Sequence, residues 1–179
     1  MMDEKEWTIS IKEKLEKEID TQRYEITCGE RVPYTASISL DKKTNFKKYE
    51  TDLLIKENID GNFIPRLIIE SKYLNVTTHD TITYSNKALA HKNLYMGLRY
   101  GLMIGNSKQK ITPKVLQHGM NFDFMMAFGN DIPTEKEWKL FVRVVKSNLE
   151  IASKYSSFME KSRGSNITCI EKNITFHNM

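Results

Sequence analysis

The sequence is poor in the residues that mark disulfide-rich, zinc-binding and multidomain proteins. It contains two cysteines and four prolines in 179 residues. Cys28 and Cys169 lack the close spacing of zinc ligands, so we expect neither a disulfide framework nor a zinc site, and a reducing cytoplasm fits this composition. No repeat, low-complexity block or linker interrupts the chain, which predicts one domain over residues 1–179, with a core at about 5–161 and a C-terminal tail at 162–179.

Long apolar segments are also missing. No apolar run approaches the roughly 18 residues of a membrane-spanning helix, and the N-terminal sequence MMDEKEW is too charged for a signal peptide. We therefore expect no membrane partner and a cytoplasmic location. The chain also lacks a G-x-G-x-x-G motif and a P-loop, so no motif indicates nucleotide binding.

The remaining composition is that of an ordinary globular protein with a small excess of positive charge. Hydrophobic residues make up 40% and charged residues 28% of the chain, and the formal net charge is +4. Such an excess permits a polyanionic partner such as nucleic acid, but it does not require one.

Periodicity predicts an alternation of helices and strands. Apolar residues at i, i+4 spacing indicate a helix at 5–20, and a Thr-x-x-Glu start indicates a long helix from Pro133 to about Lys161. A further helix is predicted at Ser85–Tyr100, and strands are predicted at 23–28, 36–40, 49–57, 66–73, 102–104 and 121–128. Residues 42–48 are predicted to be a polar turn. This order indicates an α/β fold, with a mixed central β-sheet flanked by helices.

Acidic residues stand at the edges of two short apolar runs in neighbouring strands, before the run in YETDLLI and after it in PRLIIESKY. An antiparallel hairpin that turns at Asp60-Gly61-Asn62 pairs positions whose numbers sum to about 122, which sets Asp52 opposite Glu70. Strand alternation places Lys72 on the same face as Glu70. One interpretation is that these charges are solvated strand ends. The other is that the two carboxylates hold one divalent cation and that Lys72 stabilises charge on a phosphate beside it.

The two strands and their order resemble the PD-(D/E)xK nuclease superfamily, which includes many restriction endonucleases. In that superfamily a helix precedes a hairpin that bears an acid and then (D/E)xK, and a helix and a strand follow. The resemblance extends over about residues 5–128, although Thr51 stands where the motif often has proline. It implies that Asp52 and Glu70 are catalytic metal ligands and that Lys72 is the catalytic lysine.

The function implied is that of a metal-dependent DNA endonuclease, with Mg²⁺ as the cofactor and Mn²⁺ as a substitute. Residues 1–179 would then form a single nuclease domain, and a restriction-type role fits a chain without a separate binding domain. Cutting both strands of a duplex favours a homodimer. The alternatives are a repair or junction nuclease with the same core, and a nucleic-acid-binding subunit whose site is not used.

Supporting residues are predicted on two helices. Superfamily members often complete the metal site with an acid from the first helix, and Glu18 falls inside the apolar stripe of the helix predicted at 5–20. The helix predicted at 85–100 carries polar and basic residues that are expected to contact DNA, although each could instead belong to an ordinary solvated face. These residues are Lys87, His91, Lys92 and Arg99.

Overall fold

The computed structural model describes residues 2–38, 41–107, 111–161 and 175–177. In these ranges the helices are α1 (Glu4–Leu15), α2 (Thr78–Leu94), α3 (Pro113–His118) and α4 (Glu135–Lys161). The strands are β1 (Tyr24–Thr27), β2 (Glu30–Ile38), β3 (Thr44–Thr51), β4 (Leu53–Ile59), β5 (Asn62–Tyr73), β6 (Arg99–Gly105) and β7 (Phe124–Ala127). The tail predicted at 162–179 lies outside the described residues, apart from 175–177.

Five strands form one mixed sheet in the order β1-β4-β5-β6-β7. β1, β4 and β5 pair antiparallel, whereas β5, β6 and β7 pair parallel. The connection from β5 to β6 runs through α2, as expected for a parallel pair, which needs a crossover. The predicted α/β class with a mixed central sheet flanked by helices is therefore confirmed.

The sheet is buried on both faces, and different helices cover the two faces. On one face, α1 and α4 pack Trp7, Leu15 and Phe141 against Leu53, Ile69 and other strand residues in the larger apolar core. On the other face, a smaller core joins Leu54, Ile68 and Tyr100 to Ala88 of α2. Because strand side chains alternate, Leu53, Ile55, Leu67 and Ile69 point to the face of α1 and α4, whereas Leu54 and Ile68 point to the face of α2.

The hairpin between β4 and β5 turns at Asp60-Gly61, as predicted. Both residues have positive φ, at 51° and 83°, which is the geometry of a tight turn whose twist matches the strands. The cross-strand numbers sum to 121 near this turn and to 122 beyond an irregularity between Ile55 and Lys56. The predicted register is thus confirmed at the far end of the hairpin, which holds the charged residues.

Capping side chains set several helix starts. Thr77 and Asp80 form a capping box, so α2 begins at Thr78, seven residues before the predicted start. Its last residue is Leu94, because the chain extends from Tyr95 into β6. α1 likewise begins with a capping box, between Asp3 and Glu6, and ends at Leu15 instead of residue 20. The predicted start of α4 is confirmed, with Thr134 capping through Glu137.

The segment predicted to be a polar turn at 42–48 contains most of a strand. β3 pairs antiparallel with β2 to form a separate two-stranded sheet, which we call the arm (residues 30–51). The prediction failed because β3 has almost no buried face, so its sequence lacks the alternation that marks a half-buried strand. Helix α3 was also missed, since six residues are too few for a periodic pattern.

No helix in the described part of the chain is both long enough and apolar enough to cross a membrane.

The contact between α1 and β6 allows a test of the packing. An ideal Cβ at Gly105 would overlap the indole ring of Trp7, which is fully buried. We expect Gly105→Ala to lower the free energy of unfolding by about 1–3 kcal/mol, because a rigid buried ring cannot move aside cheaply. Urea unfolding measures this loss.

The matched control for this test is Gly129→Ala. A Cβ at Gly129 would make only an ordinary contact, 3.6 Å from Oε1 of Glu137. This variant should stay within about 0.5 kcal/mol of the wild type. Equal stabilities for the two variants would contradict the packing of α1 described above.

Candidate active site

Two carboxyl groups meet where β4 begins and β5 approaches its end. Leu53 pairs with Ile69 and Leu54 pairs with Ile68. Continuing this register by one residue sets Asp52 opposite Glu70, on the face covered by α2. The two carboxyl groups lie within hydrogen-bonding reach of each other. The structure therefore brings together the two acids that the sequence pattern selected.

Both carboxyl groups are held by further contacts. Glu70 is only 1% exposed, and its Oε1 accepts a hydrogen bond from the hydroxyl of Tyr100 on β6. Oδ2 of Asp52 accepts a hydrogen bond of 2.7 Å from the backbone N–H of Ser71. The Ser71 side chain lies on the opposite face, where Thr8 of α1 donates to it at 2.7 Å. These bonds leave the two carboxyl groups little freedom to move apart.

The acid pair favours a shared proton when no cation is present. Burial, followed by the negative charge of Asp52, raises the pKa of Glu70 to about 8 from an ordinary value of 4.5. The ammonium group of Lys87 and the hydrogen bond from Tyr100 oppose this shift but do not overcome it. At neutral pH Glu70 is therefore largely protonated in the metal-free protein.

Lys72 is held at the end of β5 by acids from two helices. Its Nζ lies 3.7 Å from Oε2 of Glu4 and 3.8 Å from Oδ1 of Asp80. Burial disfavours its charge, but a hydrogen bond with Tyr84 and these carboxylates outweigh burial and raise the pKa of Lys72. Lys72 is thus a positioned cation.

A second lysine, Lys87 of α2, approaches the acid pair directly. Its Nζ is 3.8 Å from Oε2 of Glu70. Both lysines lie over the ring of Tyr84, whose centroid is 5.0 Å from Nζ of Lys87 and 5.4 Å from Nζ of Lys72. One tyrosine therefore contacts both ammonium groups at the end of the hairpin.

The chemistry of this cluster fits a hard divalent cation. Asp52 and Glu70 offer oxygen ligands, and a cation between them would relieve the repulsion that otherwise binds a proton. No group of three or more His, Cys, Asp or Glu side chains suited to a metal occurs among the described residues. Mg²⁺ commonly keeps several waters and is bound through one or two carboxylates, so two acids suffice.

The four residues predicted to contact DNA separate in the structure. Only Lys87 lies at the acid pair. His91 is fully buried, with its Nε2 3.3 Å from the carbonyl oxygen of Val32, and its ring stacks on Tyr100. Burial lowers the pKa of His91, so it is a neutral core residue and the prediction that it contacts DNA is wrong.

Lys92 and Arg99 belong to an ion-pair network with Asp123. Nζ of Lys92 lies 2.8 Å from Oδ2 of Asp123, and Nη1 of Arg99 lies 3.0 Å from Oδ1 of the same residue. Asp123 also accepts a hydrogen bond from the backbone N–H of Tyr100, at the start of β6. These contacts join β6 to the segment before β7. That Lys92 and Arg99 contact DNA stays a prediction.

Glu18 does not join Asp52. Because α1 ends at Leu15, the helical phase that placed Glu18 in the apolar stripe does not apply. Its exposed carboxylate accepts a hydrogen bond of 3.0 Å from Nε1 of Trp138, on α4 and thus on the other face of the sheet. The first-helix acid near the site is instead Glu4, whose Oε2 also accepts a hydrogen bond of 3.3 Å from the backbone N–H of Tyr73.

Two tyrosines of the site were missed because of errors in the predicted boundaries. Tyr84 precedes the predicted start of α2 at Ser85 by one residue, yet it lies three residues before Lys87 and shares its helical face. Tyr100 was assigned to the end of that helix, but it is a buried residue of β6 that bonds Glu70. The capping pair Thr77 and Asp80 was the signal that could have moved the helix to its true position.

Comparison of the chain with models of known protein families, and with curated proteins, gave no match.

The protonated acid pair predicts a pH-dependent stability in EDTA. The folded chain keeps a proton on Glu70 up to a pH of about 8, whereas the unfolded chain releases it near 4.5. Its stabilising effect is therefore complete below that lower pH and is lost as the pH rises through about 8. Glu70→Gln has no such proton to lose. Its unfolding free energy should therefore fall less than that of the wild type between about pH 5 and pH 9. The difference is several kcal/mol at most, at about 1.4 kcal/mol per pKa unit.

Urea unfolding at both pH values provides the measurement, and Glu18→Gln, which alters an exposed carboxylate far from the pair, is the control. Mg²⁺ should raise the stability of the wild type at about pH 8 but not that of Glu70→Gln, since it binds only the folded pair. A pH dependence that is the same in all three proteins would show that the acids do not interact as described.

Proposed function

We propose that this chain is a metal-dependent DNA endonuclease. The observation that supports the proposal is the contact of the Asp52 carboxyl group with the buried Glu70, beside Lys87, with Lys72 and Lys87 both lying over the ring of Tyr84. Such an acid pair is costly unless a cation or a proton occupies it. Two carboxylates next to two ammonium groups suit a metal-bound phosphodiester, because each charge of the substrate complex finds an opposite charge in the site.

Asp52 and Glu70 would hold Mg²⁺, or Mn²⁺ in its place. When bound, the ion supplies an activated water and stabilises charge on the phosphate. Tyr100 and the N–H of Ser71 hold the two carboxyl groups in a fixed orientation. The protein therefore presents ligands that need little rearrangement.

Lys72 is proposed as the catalytic cation. Its ammonium group has three N–H donors, and its raised pKa keeps it charged at neutral pH. It can donate to an oxygen of the phosphate or orient the attacking water, while Glu4 and Asp80 hold its position. Lys87 would contact the same phosphate from α2 and balance the charge of Glu70.

A restriction-type role and a homodimer remain parts of the proposal. One acid pair per chain can cut one strand at a time, so two subunits related by symmetry would cut both strands of a duplex. A repair or junction nuclease would use the same residues, and the choice of DNA substrate separates these roles. A binding subunit with an unused site would show DNA affinity without cleavage.

The first test is the cofactor dependence of cleavage. Purified protein should cut a mixture of plasmid and genomic DNA in Mg²⁺ or Mn²⁺ and should be inactive in EDTA. Ca²⁺ should allow binding with little cutting, because its looser coordination positions water poorly. Gel analysis of the products measures this, and undiminished cutting in EDTA would exclude the proposed mechanism.

A second test removes one proposed ligand. Glu70→Ala should lower the cleavage rate at least about a thousandfold, which corresponds to roughly 4 kcal/mol of barrier. DNA binding should largely remain, because the lost carboxyl group does not attract phosphate. Single-turnover kinetics and a binding assay separate the two effects.

Glu18→Gln is the control for this test, because its bond to Trp138 places it on the other face of the sheet. It should cut at the wild-type rate. Equal activity of Glu70→Ala and Glu18→Gln would remove the acid pair from the reaction.

A further inference from the structure

Much of β3, in the arm, is exposed to solvent. All residues from Thr44 to Lys48 are exposed, and the side chain of Phe46 is 52% exposed. A two-stranded sheet buries too little to be stable by itself, so it needs support from the rest of the fold or from a partner. Among the residues of the arm that the structure describes, the buried ones are at its base: Val32, which packs with Ala88 of α2, and Thr51.

The exposed part of the arm is basic. Residues 41–48 contain four lysines and one aspartate. Lys47 and Lys48 are neighbours in β3 and both are exposed, yet their side chains leave opposite faces of the strand. The two faces can therefore be distinguished by single substitutions that change the charge equally.

One face of β3 continues directly from the acid pair. Tyr49 points to α2, where its ring centroid lies 5.8 Å from that of His91 and 5.6 Å from Nζ of Lys87. Lys47 is two residues further along the strand and shares this face, opposite Thr35 of β2. Lys87, Tyr49 and Lys47 thus form a track that leads away from Glu70. Lys48 shares the other face with Glu50, which pairs with Arg31.

We propose that the Lys47 face of the arm binds the sugar–phosphate backbone of duplex DNA that extends from the active site. This inference rests on the nuclease function proposed above and names the surface that holds its substrate. At about 3.3 Å per residue, Lys47 lies roughly 17 Å along the strand from Asp52. A DNA strand carries a phosphate about every 3.4 Å of helix axis, so the arm runs beside several phosphates.

The ligand is the phosphate backbone and not a specific base sequence. Lysine binds phosphate as a flexible point charge and lacks the planar fork with which arginine recognises a partner in a fixed orientation. Contacts of this kind position a duplex but do not select its sequence. The arm should therefore contribute equally to the binding of unrelated duplexes.

The test compares Lys47→Gln with Lys48→Gln, with the wild type as reference. Fluorescence anisotropy measures binding to two unrelated labelled duplexes in EDTA, over a range of salt concentrations. Lys47→Gln should weaken binding about five- to tenfold at 0.1 M salt for both duplexes and should lower the salt slope by about one. Lys48→Gln should bind within about twofold of the wild type, and circular dichroism confirms that both variants fold.

The results separate this inference from the proposed function. Equal affinities of the two variants would overturn the proposal that the Lys47 face binds DNA. The lysines would then serve only to keep an exposed strand edge from pairing with another chain. Cleavage assays in Mg²⁺ on the same proteins report on the nuclease. If Lys47→Gln binds DNA more weakly and the wild type does not cleave, DNA binding by the arm is supported and the nuclease function is overturned. If all three proteins cleave and the two variants bind equally, the nuclease function is supported and DNA binding by the arm is overturned.

Discussion

The contact between the carboxyl groups of Asp52 and Glu70 is the constraint on which the rest of the site depends. Burial of Glu70, followed by the negative charge of Asp52, raises the pKa of Glu70 to about 8, so a proton is mostly retained by the pair at neutral pH when no cation is present. The surrounding residues hold the pair in place, because Tyr100 binds one acid and the N–H of Ser71 binds the other. Tyr100 and Lys87 also offset part of the rise in the pKa of Glu70, but not all of it.

The alternation of β5 connects this site to the stable part of the molecule. Glu70 and Lys72 point toward α2, while Ser71 between them points toward α1 and bonds to Thr8. The larger core lies on the α1 face and includes Ile69, the residue before Glu70. The charged residues of the candidate site are therefore interleaved with residues that are fixed by the core, and a shift of one register position would exchange the two sets.

The acid pair could be predicted from sequence because it depends on a local hairpin with a clear turn. Asp60-Gly61 fixes the register, and strand alternation then determines which residues share a face. Tyr84 and Tyr100 were not predicted, because their roles depend on the true ends of α2 and on the pairing of β6 with β5, which is a nonlocal contact. The prediction for Glu18 was wrong for a related reason. Because α1 ends about one turn earlier than predicted, the side chains beyond Leu15 do not point where the helical periodicity places them.

Positive charge alone does not identify a binding surface, because several basic residues beside the sheet are paired with acids of the same chain. Lys92 and Arg99 bind Asp123, and Arg66 binds the buried Glu57. Such pairs fix one element against another, and breaking them leaves a buried charge. A basic residue is informative only when its position relative to the acid pair is known, which is a property of the fold and not of the net charge.

The arm and the acid pair are parts of one continuous stretch of chain. β3 ends at Thr51 and β4 begins at Leu53, so Asp52 is the single residue between the two sheets. Thr51 is buried, and its hydroxyl donates to the carbonyl oxygen of Glu30 at 2.9 Å, while its own carbonyl oxygen accepts from the N–H of Gly29 at 2.9 Å. These bonds fix the junction, so the direction of the arm and the position of the Asp52 carboxylate are set together.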